Sequence, residues 1–557
     1  MLMVSKKLYI AVLLLIAVAF SSCRQKSPLN SNRVVVAISS DVESFNPLFV
    51  MNYDEGNISE LLYASLVQHD WDFKKGDMNT EPMLAESWKW SKDSSSITLN
   101  LRKDVQWSDG TPFTANDVVF TFDLYSDPLV QSRLYGTFKH FYVDASSHIN
   151  LKKTFIVEGP YKLIINFKKG TSPTFYDIDF PIIPKHVFDK IARKNLVTIE
   201  KEIKPVTDGP FLLAQWNRDQ SIILKQNKKS FLYNPDGIKE LIFKIIPDYN
   251  SQINQLKSGE VDLVQDIKAD DIGDLRKNSR LNVVSLNGRD YDYIGWNNID
   301  PKIYGKTKRI VPNKLFGDPI VRSALTYAIN RNEILKEFLD NYGQIAVGPV
   351  APIFKNAYDT SLIFRSFNPQ KAKELLASRG WKDVNNTGKL SKNGKEFAFT
   401  LYYPSGNPRR EFAASIIQNN LKAIGINIKL DKMEPEVFFQ KMYNREFNAW
   451  MAGWSVPIPV DLRTYWYSNL NETPMNVYGF KDKAVDLLLN KIENERSNSV
   501  KDINYKKIQQ LIYQDEPVTF LYWIDNIIAY NKRIKNMSNT PLGPLHRCWD
   551  WSIKNSY

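Results

Sequence analysis

Residues 81–125, EPMLAESWKWSKDSSSITLNLRKDVQWSDGTPFTANDVVFTFDLY, decide how the rest of the chain is read. Trp88 and Trp90 flank Lys89, a period of two that marks a strand with one aromatic face. Polar residues 91–96 make a turn. Ile97, Leu99 and Leu101 alternate with Thr98, Asn100 and Arg102, so a second half-buried strand follows. Residues 108–112, SDGTP, turn again. Thr114 with Asp117 three positions later is a capping box, and Val118, Val119, Phe122 and Tyr125 recur at helical spacing. The unit is strand, turn, strand, turn, capped helix, an order shared by many α+β proteins.

The chain around this unit has 557 residues, too many for one core, and predicts two or more lobes. Hydrophobic residues make up 43%, enough for globular packing and too little for a polytopic membrane protein. Aromatics reach 13%, which suits an aromatic-lined cleft. The net charge of +12 comes from scattered Lys and Arg with no long run, so a solvated basic surface is expected and nucleic-acid binding is not.

Residues 1–22 read as a signal peptide. Lys6 and Lys7 form its positive start and residues 8–20 its apolar stretch, well short of the ~20 residues that span a bilayer. Residues 20–23, FSSC, resemble a bacterial lipobox, with Phe20 in place of the usual Leu. That points to cleavage before Cys23, a thioether to diacylglycerol, and acylation of the new amine; two or more chains anchor stably. A secreted protein in which Cys23 is incidental is the alternative. With Cys23 lipidated, Cys548 lacks a partner, so neither a disulfide framework nor a metal-binding cysteine pair is expected. Residues 23–33 read as a flexible tether.

Within the opening stretch, LAESW and LRKDVQWSDGTPFTANDVVFTF closely resemble the signature of the family 5 extracellular solute-binding proteins, the dipeptide, oligopeptide and nickel receptors of ABC importers. LYASLVQHDWD (62–72), FPIIPKHVFDKI (180–191), INQLKSGEVDLV (253–264), YDYIGWNN (291–298) and DPIVRSALTYAINRNEIL (318–335) resemble further family motifs in the expected order. PVTDGPFLLAQW (205–216) is similar to the family's GTGPY hallmark, with Asp208 where the first Gly or Thr tends to stand. The resemblance runs from about residue 34 to 534. It implies a mixed α/β fold of the periplasmic-binding-protein type (type II with an extra domain) and a hinge between two lobes. The boundaries it implies are 34–65, 204–288 and 516–557 for lobe 1, 66–203 for the extra domain packed on it, and 289–515 for lobe 2.

Catalytic patterns are missing from the sequence. The five histidines lie far apart, and there is no H-E-x-x-H, C-x-x-C, G-x-S-x-G or P-loop. No enzyme activity, cofactor or metal is expected. The resemblance implies a ligand site instead. Met51, Asn52 and Tyr53 occupy the segment that presents backbone to a peptide in relatives, although a surface loop reads equally well. Trp296 and Asn297 sit at the end of the YDYIGWNN strand, which crosses between lobes. In 447–466, FNAWMAGWSVPIPVDLRTYW, Gly453-Trp454 and Ser455 match the cleft strand of relatives. Trp450 and Trp454 read as cleft or core, with the cleft favoured for Trp454. The family's ammonium-holding Asp falls on Pro457 here, and its oligopeptide-type Arg on Met451. Asp461 either substitutes for that Asp or caps the following turn. Arg463 is a candidate partner for a ligand carboxylate.

These readings converge on a monomeric, lipid-anchored receptor of the cell envelope. It binds di- to oligopeptides by hinged closure and passes them to an ABC permease. The same fold binding an oligosaccharide, a nickel chelate or another small solute is the first rival. A surface-anchored hydrolase is the second. Metabolic labelling with a palmitate analogue checks the anchor: label on the native protein and none on Cys23→Ala is the expected result.

Overall fold

The computed structural model describes residues 32–199 and 203–554, so the leader, Cys23 and the tether lie outside the described residues. The opening stretch forms as its pattern predicts. Strands Ala85–Trp90 and Ser96–Leu101 pair antiparallel, with Trp88 opposite Leu99 and Trp90 opposite Ile97. Helix Ala115–Ser126 starts at the predicted box: the Thr114 backbone N–H donates to Asp117 Oδ2 at 2.8 Å. Strands Lys162–Asn166 and Phe155–Val157 complete a four-stranded antiparallel sheet. This sheet is the extra domain. Its Ile97, Leu99, Phe122 and Ile165 belong to the same continuous core as lobe 1 residues Val34, Val36 and Phe243.

Eleven strands form the main sheet, which runs through both lobes. In lobe 1, Arg33–Ile38 lies parallel to Glu240–Ile245, which pairs with Ser221–Gln226 and then Phe211–Asn217. In lobe 2, Asn427–Met433 and Ala398–Pro404 run parallel, and Ala449–Ser455 follows. Two long antiparallel strands, Leu281–Trp296 and Val518–Asn531, join the halves. Leu281 to Leu286 pair with Asn531 to Asn526 on the lobe 1 side. The register then jumps to Asp290 opposite Ile524. Gly288 sits in this irregularity, and a Cβ there would lie 1.8 Å from the Ile524 carbonyl oxygen. Only glycine lets the two backbones approach so closely.

Two expectations shift. The crossing strand begins at Leu281, ten residues before the YDYIGWNN motif. The return to lobe 1 comes later than residue 516: Val518 to Ile524 pair with residues 290–295, and Leu521, Tyr522 and Trp523 fill the cores on the two faces of lobe 2. The segment after Pro47 also differs. Helix Tyr53–Leu62 starts at Asn52, whose side chain accepts from the Glu55 N–H at 2.9 Å, while the Met51 N–H donates to Glu55 Oε2 at 2.7 Å. A capping box ends the extended segment at residue 52.

Asp208, the departure from the family hallmark, is 1% exposed beneath lobe 1 and accepts the Ala64 N–H at 2.9 Å. Burial pushes its carboxyl up to about 8, so the folded protein keeps the proton at neutral pH. The unfolded chain releases that proton near pH ~4. This group's contribution to stability is therefore complete below about pH 4 and is lost as pH rises toward 8. Asp208→Asn keeps the acceptor and removes the titration. Its melting temperature relative to the native protein should climb between pH 5 and pH 8, as read by scanning calorimetry.

Candidate functional site

Strand Ala449–Ser455 organises the site. Its Val456 end donates an N–H to the Arg289 carbonyl, and the Asn297 N–H donates to the Asn448 carbonyl at its other end. Even-numbered residues therefore turn their backbone groups toward the crossing strand, and Met451, Gly453 and Ser455 turn theirs the other way. On that side Ala398–Pro404 meets this strand only at Leu401↔Ala449 and Tyr402↔Trp450. Beyond Trp450 no described strand covers the edge. Gly453, Trp454 and Ser455 line a cavity of about 510 Å3 between the lobes, closed on the lobe 1 side by Asp266 to Ala269.

An ion triad forms one wall. Asp292, fully buried on the crossing strand, accepts from Arg409 Nε at 2.9 Å and Arg410 Nη2 at 2.8 Å, and from the Tyr522 hydroxyl at 3.2 Å. Burial alone would raise the Asp292 carboxyl. The two guanidinium groups override it and hold the group below the ordinary carboxylate range. Both arginines occupy the first turn of helix Pro408–Ala423, where the helix dipole disfavours cations. Asp292 compensates, and the triad keeps one net positive charge at the cavity. Gly453 lies beneath it: a Cβ there would come within 2.6 Å of both Arg410 Nη2 and Asp292 Oδ1. Asp266 and Asp290 also line the cavity. Burial, and then the Asp290 charge, raise the Asp266 carboxyl.

Two further cavities continue along the chain that leaves this strand. One of about 380 Å3 is lined by Ile458, and one of about 670 Å3 by Pro459 and Val460. Residues 453–455 and 458–460 thus border three cavities in succession.

The architecture and this cleft agree with the sequence comparison. The model of the bacterial extracellular solute-binding proteins, family 5, matches residues 79–476. The chain belongs to this family. It is 30% identical over 563 residues to oligopeptide-binding protein AppA of Bacillus subtilis, covering 97% of each chain. The structure of that AppA in complex with a nonapeptide superposes with a TM-score of 0.70 at 29% identity, over 94% of this chain and 99% of that one. NikZ from Campylobacter jejuni in complex with Ni(L-His) shares the fold, with a TM-score of 0.72 at 24% identity, over 94% of this chain and 100% of that one.

Of the candidate residues on strand Ala449–Ser455, Gly453, Trp454 and Ser455 line the cavity, but several other candidate side chains do not. Trp296 is fully buried, donates to Thr519 Oγ1 at 3.0 Å, and packs on Phe316. Asn297 is buried and donates to the Phe447 carbonyl at 2.8 Å. Trp450 is 1% exposed, and its ring fills the space that Gly295 leaves open. These three hold the lobe 2 core together, because alternation along a paired strand directs them to its packed faces. Trp454 reaches the cavity and stacks on Tyr293. Met51 and Tyr53 are exposed at the lobe 1 edge, but the Met51 and Asn52 N–H groups are taken by Glu55. Arg463 bonds Asn490 and sits near Glu472 and Glu493, away from the cavities.

Asp461 accepts the Arg463 N–H and the Thr464 hydroxyl, both at 2.8 Å, which is the capping role. The residues the sequence reading missed are Asp292, Arg409, Arg410, Asp266 and Asp290. Two arginines opening a helix after Asn407-Pro408 were a usable signal, since such cations require a buried counter-charge. Asp461→Ala should lower stability by about 0.5–2 kcal/mol, the usual cost of a lost cap, and leave ligand affinity unchanged in calorimetry.

Proposed function

We propose that this protein is the peptide receptor of an ABC importer. The observation that carries the reading is the uncovered edge of Ala449–Ser455 along the interlobe cavity. An extended peptide pairs with such an edge through its backbone, which supplies affinity with little demand on side chains. The cavity lining suits a zwitterion, since it holds both the Arg409–Arg410–Asp292 triad and the carboxyl groups of Asp266 and Asp290. The likeness to AppA, solved with a nonapeptide, supports the same reading.

The lobes close about the crossing strands, and ligand contacts to both lobes supply the free energy that favours closure. The cargo leaves uncleaved and passes to the transmembrane subunits of a permease. Cys23 carries the lipid that keeps the monomeric receptor at the membrane. A thermal-shift screen tests the ligand class: peptides of two to nine residues should raise the melting temperature by mass action. Stabilisation by oligosaccharides or a nickel–histidine chelate instead, or recovery of a cleaved peptide, overturns the reading.

A further inference from the structure

The cavity of about 380 Å3 holds a charge that the protein leaves uncompensated. Its lining comes from three parts of the molecule: helix Tyr53–Leu62 and residues 542–549 of lobe 1, Tyr176 and Asp179 of the extra domain, and Ile458 of lobe 2. Four of the ionisable groups on this lining are paired. Asp179 lies 3.1 Å from His69 Nε2, His546 lies 2.7 Å from Asp70, and Arg547 binds Asp70 at 2.7 Å and Asp550 at 3.0 Å. Glu60 forms no hydrogen bond or ion pair with any described residue.

Glu60 is exposed and lines this cavity. Desolvation by the surrounding protein raises its carboxyl above the ordinary range, outweighing the His546 and Arg133 charges that lower it. An unpaired carboxylate on a cavity wall is available to a cation that arrives with the ligand. Other groups on the lining suit a cation. Gln68 Oε1 is buried and accepts no hydrogen bond from the protein. The rings of Tyr53, Tyr176 and Trp549 offer faces to an ammonium or guanidinium group.

The cavity also lies next to the chain that leaves the cleft strand. Ile458 closes it three residues after Ser455. Arg289, which holds the Val456 carbonyl, lies close enough to Tyr53 for their charges to interact. A peptide paired along 453–455 brings its nearest residue toward this cavity.

We propose that this cavity is a cation subsite of the peptide cleft, in which Glu60 receives the ammonium or guanidinium group of one residue of the bound peptide. The inference rests on the peptide reading above. Two sources share this chemistry, a lysine or arginine side chain and the peptide's own α-ammonium. Calorimetry on the full chain and on Glu60→Gln separates them. The probes are one peptide scanned with lysine or norleucine at each position, with free and acetylated N-termini.

The native protein should bind the best cationic peptide at least ~10-fold more tightly than its neutral counterpart, a difference of about 1.4 kcal/mol. Glu60→Gln should abolish that difference while binding neutral peptides as well as the native protein does, which also shows that the variant is folded. Loss of the preference on acetylation assigns the site to the α-ammonium, and loss on norleucine substitution assigns it to a side chain. Peptides that bind without any cationic preference, or a preference that survives in Glu60→Gln, overturn the subsite and leave the peptide reading standing. If no peptide binds either protein, both fall.

Discussion

The antiparallel pair Leu281–Trp296 and Val518–Asn531 is the constraint on which the rest of this molecule depends. Its first half is sheet in one lobe and its second half is sheet in the other. The lobes are therefore coupled through continuous backbone hydrogen bonding rather than through loose linkers. A uniform ladder would resist bending. The register jump between Leu286 and Asp290, with Gly288 pressed on the Ile524 carbonyl, concentrates the flexibility at one level. Cleft and hinge sit together there, because Asp290, Ile524 and Asp525 line the cavity beside Gly453 to Ser455.

The contacts across the mouth of the cleft are of a different kind. Some are exposed: Arg496 binds Ser94 and the Asp93 carbonyl, Asn498 binds Asp77, and Lys139 reaches Glu493, and such pairs contribute little in water. Another is buried: Trp71 of the extra domain packs on Phe354 in the lobe 2 core. The Asn356 N–H also donates to the Lys75 carbonyl at 3.2 Å.

Charge inside the cleft is compensated in some places and not in others. Asp292 spends its full capacity on Arg409, Arg410 and Tyr522, and by doing so it places two cations at a helix start that would otherwise repel them. Gly453 exists in that setting because any side chain would collide with the triad. Glu60, by contrast, has no hydrogen-bond or ion-pair partner among the described residues. Buried ionic groups that are fully paired serve the fold, whereas one left open toward a cavity is matched to something that comes from outside.

Much of this architecture was legible in the residues themselves. The capping box at Thr114 and the alternation in the opening stretch are local signals, and each formed as its pattern predicts. The resemblance pointed to Gly453-Trp454-Ser455, and all three line the cavity. The fate of individual side chains was decided by tertiary structure alone. Trp296, Asn297 and Trp450 carry the residue types of a cleft, yet strand pairing on both sides turned them into the core. Asp461 read equally well as clamp or cap until the turn it starts placed two donors on its oxygens. The pairing of Asp292 with Arg409 and Arg410 spans more than a hundred residues of chain, and no local period encodes such a distance. Sequence alone determined which elements form and which family's cleft they build. Only the folded chain decided which charges meet, because ion pairing depends on proximity in space and on exclusion of water, and neither is a property of neighbouring residues.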